Sequence, residues 1–205
     1  MKMKTYHVYV VLTRTNTNMS RAIQLFKRDE YTHASITLDP ELSHMYSFGR
    51  KHTYNPLIGH FKREELHSGL FGLQKNLPSV VYEIEVNAAQ YHRARVLLEA
   101  FVSEKEKYKY NYMGLIHSVQ KKSHEYENRF LCSEFVYHIL RESDILDLKT
   151  PRNLIRPEHL RQVGWPICYE GDLKMLHPID NQIEPETSLI GVINKKLSLI
   201  YQPFI

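Results

Sequence analysis

Two residues far apart in the chain have the types and settings that nucleophilic catalysis requires, Cys132 and His33. Cys132 stands in Phe-Leu-Cys-Ser-Glu-Phe-Val-Tyr, where Phe135, Val136, Ile139 and Leu140 recur at helical spacing and place the cysteine in the first turn of a predicted helix. A cysteine attacks a carbonyl carbon as its thiolate, and a helix start favours that anion because its unpaired N–H groups and its dipole are positive there. A neighbouring imidazole can take the thiol proton and remain beside the sulfur as imidazolium. The same N–H groups can form an oxyanion hole for the attacked carbonyl. His33 lies in Thr-His-Ala-Ser-Ile-Thr-Leu, which alternates strictly, with Ala34, Ile36 and Leu38 on one side and His33, Ser35 and Thr37 on the other. That is the pattern of a half-buried strand. The plainer roles are a buried structural thiol and a satisfied strand histidine.

The elements that would have to bring these two together can be read along the chain. A first strand runs from about Thr5 to Thr13. A polar turn over 14–18 follows, then a short helix capped by Ser20 with Ala22, Ile23, Leu25 and Phe26 on its apolar stripe, ending at Asp29-Glu30. The His33 strand passes through the turn Asp39-Pro40-Glu41 into a second strand over 43–48, which makes a hairpin. The stretch from Gly49 to Pro78, punctuated by Gly, Asn and Pro, reads as loops and short turns. Ser79 to Val86 alternates again. Asn87 with Gln90 forms a capping box that opens a long helix to about Lys107, with Tyr91, Ala94, Leu98 and Phe101 on one face. A shorter helix is expected after Tyr110-Asn111. Beyond Thr150 prolines dominate, with one short helix over 157–163 and a last apolar segment, Leu189 to Ile205, that could dock as a strand. Strands and helices mix without regular alternation, which predicts an α+β fold. Residues 1–150 form its core, and 151–205 an extension packed on the same domain.

Composition narrows the function classes. With 205 residues, 42% of them hydrophobic and 24% charged, the chain suits one globular domain with elaborations. The net charge of +4 is mild, and the lysines of 105–109 and 121–122 are interleaved with glutamate, so no nucleic-acid partner is expected. Two cysteines, Cys132 and Cys168, make no disulfide framework and suit a reducing compartment. The apolar run from Val8 to Leu12 is too short for a signal peptide, and no stretch is long enough to span a membrane, so a cytoplasmic location is expected. The 12 histidines lack metal-ligand spacing, and no phosphate-binding or dinucleotide motif is visible, so neither a metal nor another cofactor is expected.

Thr-His-Ala-Ser-Ile-Thr-Leu-Asp, a hairpin into Met-Tyr-Ser-Phe-Gly-Arg, Tyr110-Asn111, and then Phe-Leu-Cys-Ser-Glu-Phe-Val-Tyr occur in an order that resembles the circularly permuted branch of the NlpC-type papain-like superfamily. That branch includes lecithin retinol acyltransferase and the YiiX-like proteins, and the resemblance spans roughly Tyr6 to Leu140. It implies an antiparallel sheet packed against helices, one of which carries the cysteine at its N-terminus. It also implies that Cys132 is the nucleophile and His33 the general base of a cysteine hydrolase, an amidase or peptidase with acyl transfer also open, acting on a small peptide, amide or acyl substrate. The family places a polar residue that orients the imidazole on the strand after the histidine strand. Ser47 occupies that place here, with His44 and Tyr46 as alternatives because a one-residue register change flips the face. Tyr110 and Tyr46 are candidate substrate contacts, Glu134 reads as a surface carboxylate opposing the helix dipole, and Cys168 as a packed thiol. A serine orients imidazole less strongly than a carboxylate. That weakness sustains an alternative, a non-catalytic papain-like module binding a peptide, lipid or protein partner.

Overall fold

The computed structural model describes residues 5–15, 29–50, 59–111 and 125–176. The helix expected after Ser20, the one expected after Tyr110-Asn111 and the segment from Leu189 to Ile205 lie outside the described residues. The architecture is α+β. Among the described residues eight strands form one sheet: β1 (Tyr6–Thr13), β2 (His33–Thr37), β3 (Met45–Arg50), β4 (Gly59–Glu64), β5 (Pro78–Val86), β6 (Lys109–Tyr110), β7 (Arg129–Phe130) and β8 (Ile167–Asp172), in the spatial order β7-β6-β4-β3-β2-β1-β5-β8. The helices among the described residues are α1 (Gly69–Gly72), α2 (Ala88–Ser103), α3 (Cys132–Glu142) and α4 (Pro157–Arg161), with 3-10 turns at Arg152–Leu154 and Leu173–Met175.

The sheet is mixed, which corrects the expectation of an antiparallel one: β6 and β7 pair in parallel. The chain that leaves β6 returns only after residues 111–128 to run alongside it, a connection long enough for the crossover that a parallel pair needs. The other strand pairs are antiparallel.

Side-chain alternation divides the interior in two. Val8, Val10 and Leu12 of β1 join Ala34 and Ile36 of β2, Phe48, Phe61, and Val80, Tyr82, Ile84 and Val86 of β5 on the face that receives α2 and α3. From α3 come Phe135, Val136, Ile139 and Leu140, all fully buried and each contributing about 2 kcal/mol by leaving water. From α2 come Ala94, Leu98 and Phe101, as the spacing predicts; the capping box is formed, with Asn87 Oδ1 accepting from Gln90 N at 2.9 Å, although the helix stops at Ser103. The alternate residues Tyr9, Val11 and Val81 face a second cluster with Leu42, Met45, Leu66, Phe71, Leu77, Cys168 and Leu173. This second layer explains why β2 is buried on both faces where the sequence pattern predicts a half-buried strand: Ser35 and Thr37 are as inaccessible as Ala34 and Ile36. Four strands had no sequence signal, the two-residue β6 and β7 among them. β4 lies inside the stretch read as loops, and β8 pairs with β5 beyond Thr150.

Candidate active site

The Cys132 helix begins without a capping side chain. Leu131 precedes it at the cap position and has no acceptor atom to offer the first-turn amides. The helix start is secured from behind. Glu134, one turn in and fully buried, accepts from the Leu131 amide at 2.5 Å and from Asn111 Nδ2 at 3.1 Å. The Asn111 amide in turn donates to the Phe130 carbonyl at 3.1 Å. Ser133 donates to the Ile155 carbonyl at 2.6 Å, and the Arg152 guanidinium lies 4.3 Å from the Phe130 ring centre and donates to the Tyr126 carbonyl. Burial pushes the Glu134 carboxyl up, and the Leu131 N–H and Asn111 hold it down. Glu134 is therefore a buried clamp on the helix start and not the surface carboxylate read from sequence. Cys132 is left at the first helical position, partly exposed, among amides with no carbonyl one turn back.

His33 opens β2, and its ring is held on two sides. Nε2 lies 2.9 Å from each oxygen of Glu64, the last residue of β4. A carboxylate only accepts, so Nε2 carries a proton. The Cys132 thiol is the other group that acts on the ring, and with Nε2 committed to Glu64, Nδ1 is the nitrogen left to serve it. Phe71 meets the imidazole edge-on with ring centres 5.8 Å apart. The His33 side chain is 13% exposed and that of Glu64 2%. Burial works against a charge on the ring, but Glu64 beside it and the thiol more than compensate, and the imidazolium is pushed up to about 10. Burial likewise opposes the Glu64 charge, and His33, Lys62 and Ser35 overcome it and hold the carboxyl well below its usual range. Lys62 Nζ stands 3.0 Å from Glu64 Oε1, and Ser35 Oγ donates to Oε2 at 2.5 Å. The imidazole is thus hydrogen-bonded to the buried Glu64 carboxylate and lies within electrostatic reach of the Cys132 thiol.

The structure brings Cys132 and His33 together and does not bring Ser47 to the imidazole. Ser47 faces the same side of the sheet as His33, but its hydroxyl donates to the Ala34 carbonyl at 2.6 Å. A hydroxyl spent on its own sheet cannot orient the ring. Tyr46 points to the opposite face, stacked on Phe61 at 5.9 Å with the rings nearly parallel, among the residues that line an open groove of about 420 Å³ beside α2. His44 precedes β3, half exposed, 3.4 Å from Asp39. Tyr110 packs its ring over Gly59, where a Cβ would lie 2.7 Å from the ring. Cys168 is buried in β8 and its thiol donates to the Val81 carbonyl at 3.4 Å. Sequence reasoning missed Glu64, together with Lys62 and Ser35 around it. Gly-His-Phe-Lys-Arg-Glu carries one apolar residue in six, so no alternation marked β4 as a strand. Among the described residues no group of three or more His, Cys, Asp or Glu side chains could hold a metal ion, and no helix is long and apolar enough to cross a membrane.

No family model matches the chain, and no curated protein or solved structure matches it.

Proposed function

We propose that this protein is a cysteine-dependent acyl hydrolase, of amidase or peptidase type and open to acyl transfer, built on a permuted papain-like core. The observation that carries the reading is the His33 ring held between the Glu64 carboxylate and the Cys132 thiol at an uncapped helix start. Glu64 supplies the carboxylate that Ser47 lacks, which favours the enzyme over the non-catalytic module.

The chemistry follows from the arrangement. With the thiol proton resting on His33, where the raised basicity of the ring favours it, the sulfur attacks the carbonyl carbon of an amide or ester, forming a C–S bond as the carbonyl π pair moves to oxygen. The first-turn amides of α3 receive that oxyanion. The imidazolium gives its proton to the departing amine or alcohol as the C–N or C–O bond breaks, leaving a thioester on Cys132. Water, or an acceptor amine or alcohol, then loses a proton to His33 and attacks the thioester, which releases the acyl product and restores the thiol. Glu64 stabilises the imidazolium in both halves and fixes the ring so that Nδ1 faces the sulfur.

Iodoacetamide labelling near neutral pH tests the pairing, and p-nitrophenyl acetate followed by mass spectrometry tests the acyl-enzyme. Rapid labelling of Cys132, slowed on the order of tenfold in His33→Ala, and one acetyl group on Cys132 support the reading. Labelling of Cys132 no faster than that of an unactivated thiol and indifferent to His33 would overturn it.

A further inference from the structure

Glu64 has more donors than the orientation of one imidazole requires. Its Oε1 lies 2.9 Å from His33 Nε2 and 3.0 Å from Lys62 Nζ, so an imidazole and an ammonium meet on a single oxygen. Those two nitrogens are therefore no more than about 6 Å apart, close enough for two like charges to oppose each other in a poorly hydrated setting. Oε2, meanwhile, takes the Ser35 hydroxyl as well as His33. The carboxylate is anchored without the ammonium.

The route by which Lys62 arrives is also specific. Its side chain is 18% exposed and lies against Gly49 of β3, where a Cβ would come within 2.6 Å of Lys62 Cε and 3.0 Å of Nζ. Position 49 can hold the lysine in this place because it has no side chain.

We propose that Lys62 is a positioning residue of the reaction: it competes with His33 for Glu64 Oε1 and so limits how firmly the carboxylate retains the imidazolium proton. The inference rests on the reading of Cys132, His33 and Glu64 as a hydrolase triad. An imidazolium that must protonate a leaving group is a poor acid when its carboxylate partner holds it too strongly. The groups that face the pair are Ser35 from β2, Glu64 and Lys62 from β4, Cys132 from α3 and the uncharged Phe71 ring from α1. Within this set Lys62 is the one cation besides the imidazolium, and its effect on the ring is opposite in sign to that of Glu64.

The test is an NMR titration of the His33 ring in the full chain, compared with Lys62→Met, Lys62→Arg and Gly49→Ala. Lys62→Met removes the competitor at similar volume and is expected to raise the His33 midpoint by about one unit, while Lys62→Arg keeps it near that of the parent. Gly49→Ala changes no charge but displaces Nζ from Oε1, so it shifts the midpoint in the same direction, and adding it to Lys62→Met shifts it no further. An unchanged midpoint in Lys62→Met makes Lys62 a bystander, and a lowered one makes it an anchor for Glu64; either overturns the proposal. The titration reads the His33–Glu64–Lys62 coupling whether or not Cys132 becomes acylated. Failure of the hydrolase reading appears separately, as labelling that ignores His33.

Discussion

Glu64 reaches His33 across the full width of an intervening strand. The two residues sit on β4 and β2, with β3 between them, yet both carboxylate oxygens lie 2.9 Å from Nε2. Neighbouring strands are about 4.8 Å apart, so two side chains leaning toward each other must bridge nearly 10 Å over whatever β3 presents on that face. On that face β3 presents Met45, paired with Glu64, then Ser47, paired with Lys62, and Gly49, where a Cβ would meet Lys62. The small Ser47 side chain leaves room for Glu64 to turn toward His33.

Size at position 47 therefore matters more than the hydroxyl. Ser47→Ala is expected to lose about 1 kcal/mol with the bond to Ala34 while keeping the labelling rate of Cys132. Ser47→Leu places a bulky side chain in the path of Glu64, costs about 1–3 kcal/mol through overpacking, and slows labelling toward the rate of His33→Ala. Urea unfolding with iodoacetamide kinetics on the same samples separates the two effects; equal labelling in both variants would show that the path is not confined by Ser47.

Glu64→Gln should move the His33 titration from about 10 back toward 6.5, since the neighbouring carboxylate is the largest influence raising it. The sign carries over to stability. A group whose folded pKa is raised contributes fully below its unfolded value of 6.5 and loses that contribution as pH climbs through about 10. Glu64, held low in the folded chain, contributes above its unfolded value of 4.5 and loses it on acidification. The parent protein is then expected to weaken from pH 6.5 to 10 with a slope of at most about 1.4 kcal/mol per pH unit from this one proton, and Glu64→Gln to flatten that slope. Urea midpoints measured across this range check it; parallel curves would contradict the coupling.

The two cysteines should separate cleanly under native conditions. Cys132 is partly exposed at the helix start, whereas Cys168 is 6% exposed in β8 and bonded to the Val81 carbonyl. Peptide mapping after brief alkylation is expected to find the label on Cys132 alone, with Cys168 modified only in denaturant. Cys168→Ser should leave the rate of Cys132 unchanged, and native labelling of both at similar rates would remove the argument from burial.

The parts of this arrangement that were legible in the sequence are those with a period. The alternation of 33–38 and of 79–86, the Asn87/Gln90 capping box and the stripe through Phe135 and Ile139 gave β2, β5, α2 and α3, and with them the places of His33 and Cys132. The register argument even led to the correct face of β3. It stopped one strand short, because the residue able to orient the imidazole sits beyond β3, on β4. β4 carries Phe61 as its one large apolar residue, and its other face holds the partly buried Lys62 and the buried Glu64, whose charges compensate each other. A strand stabilised on one side by an ionic network shows no hydrophobic alternation, and a charge network is visible only once the strands are paired. β8 escaped for a different reason: Ile-Cys-Tyr-Glu-Gly-Asp is an edge strand, and Ile167 stays 44% exposed.

The clamp behind Cys132 should matter through stability before chemistry. Glu134 accepts from the Leu131 amide and from Asn111, so Glu134→Ala takes this acceptor from both donors in a buried region. Each such loss costs about 1–3 kcal/mol, and the variant is expected to lose about 2–4 kcal/mol in urea unfolding. Asn111→Ala removes one donor and leaves the carboxylate its Leu131 bond, so it should cost less. Because the clamp sets the position of the helix start, both variants should slow Cys132 labelling in proportion to the amide exchange that appears at Leu131 and Cys132. If Glu134→Ala were as stable as the parent yet lost labelling completely, Glu134 would belong to the chemistry and not to the clamp.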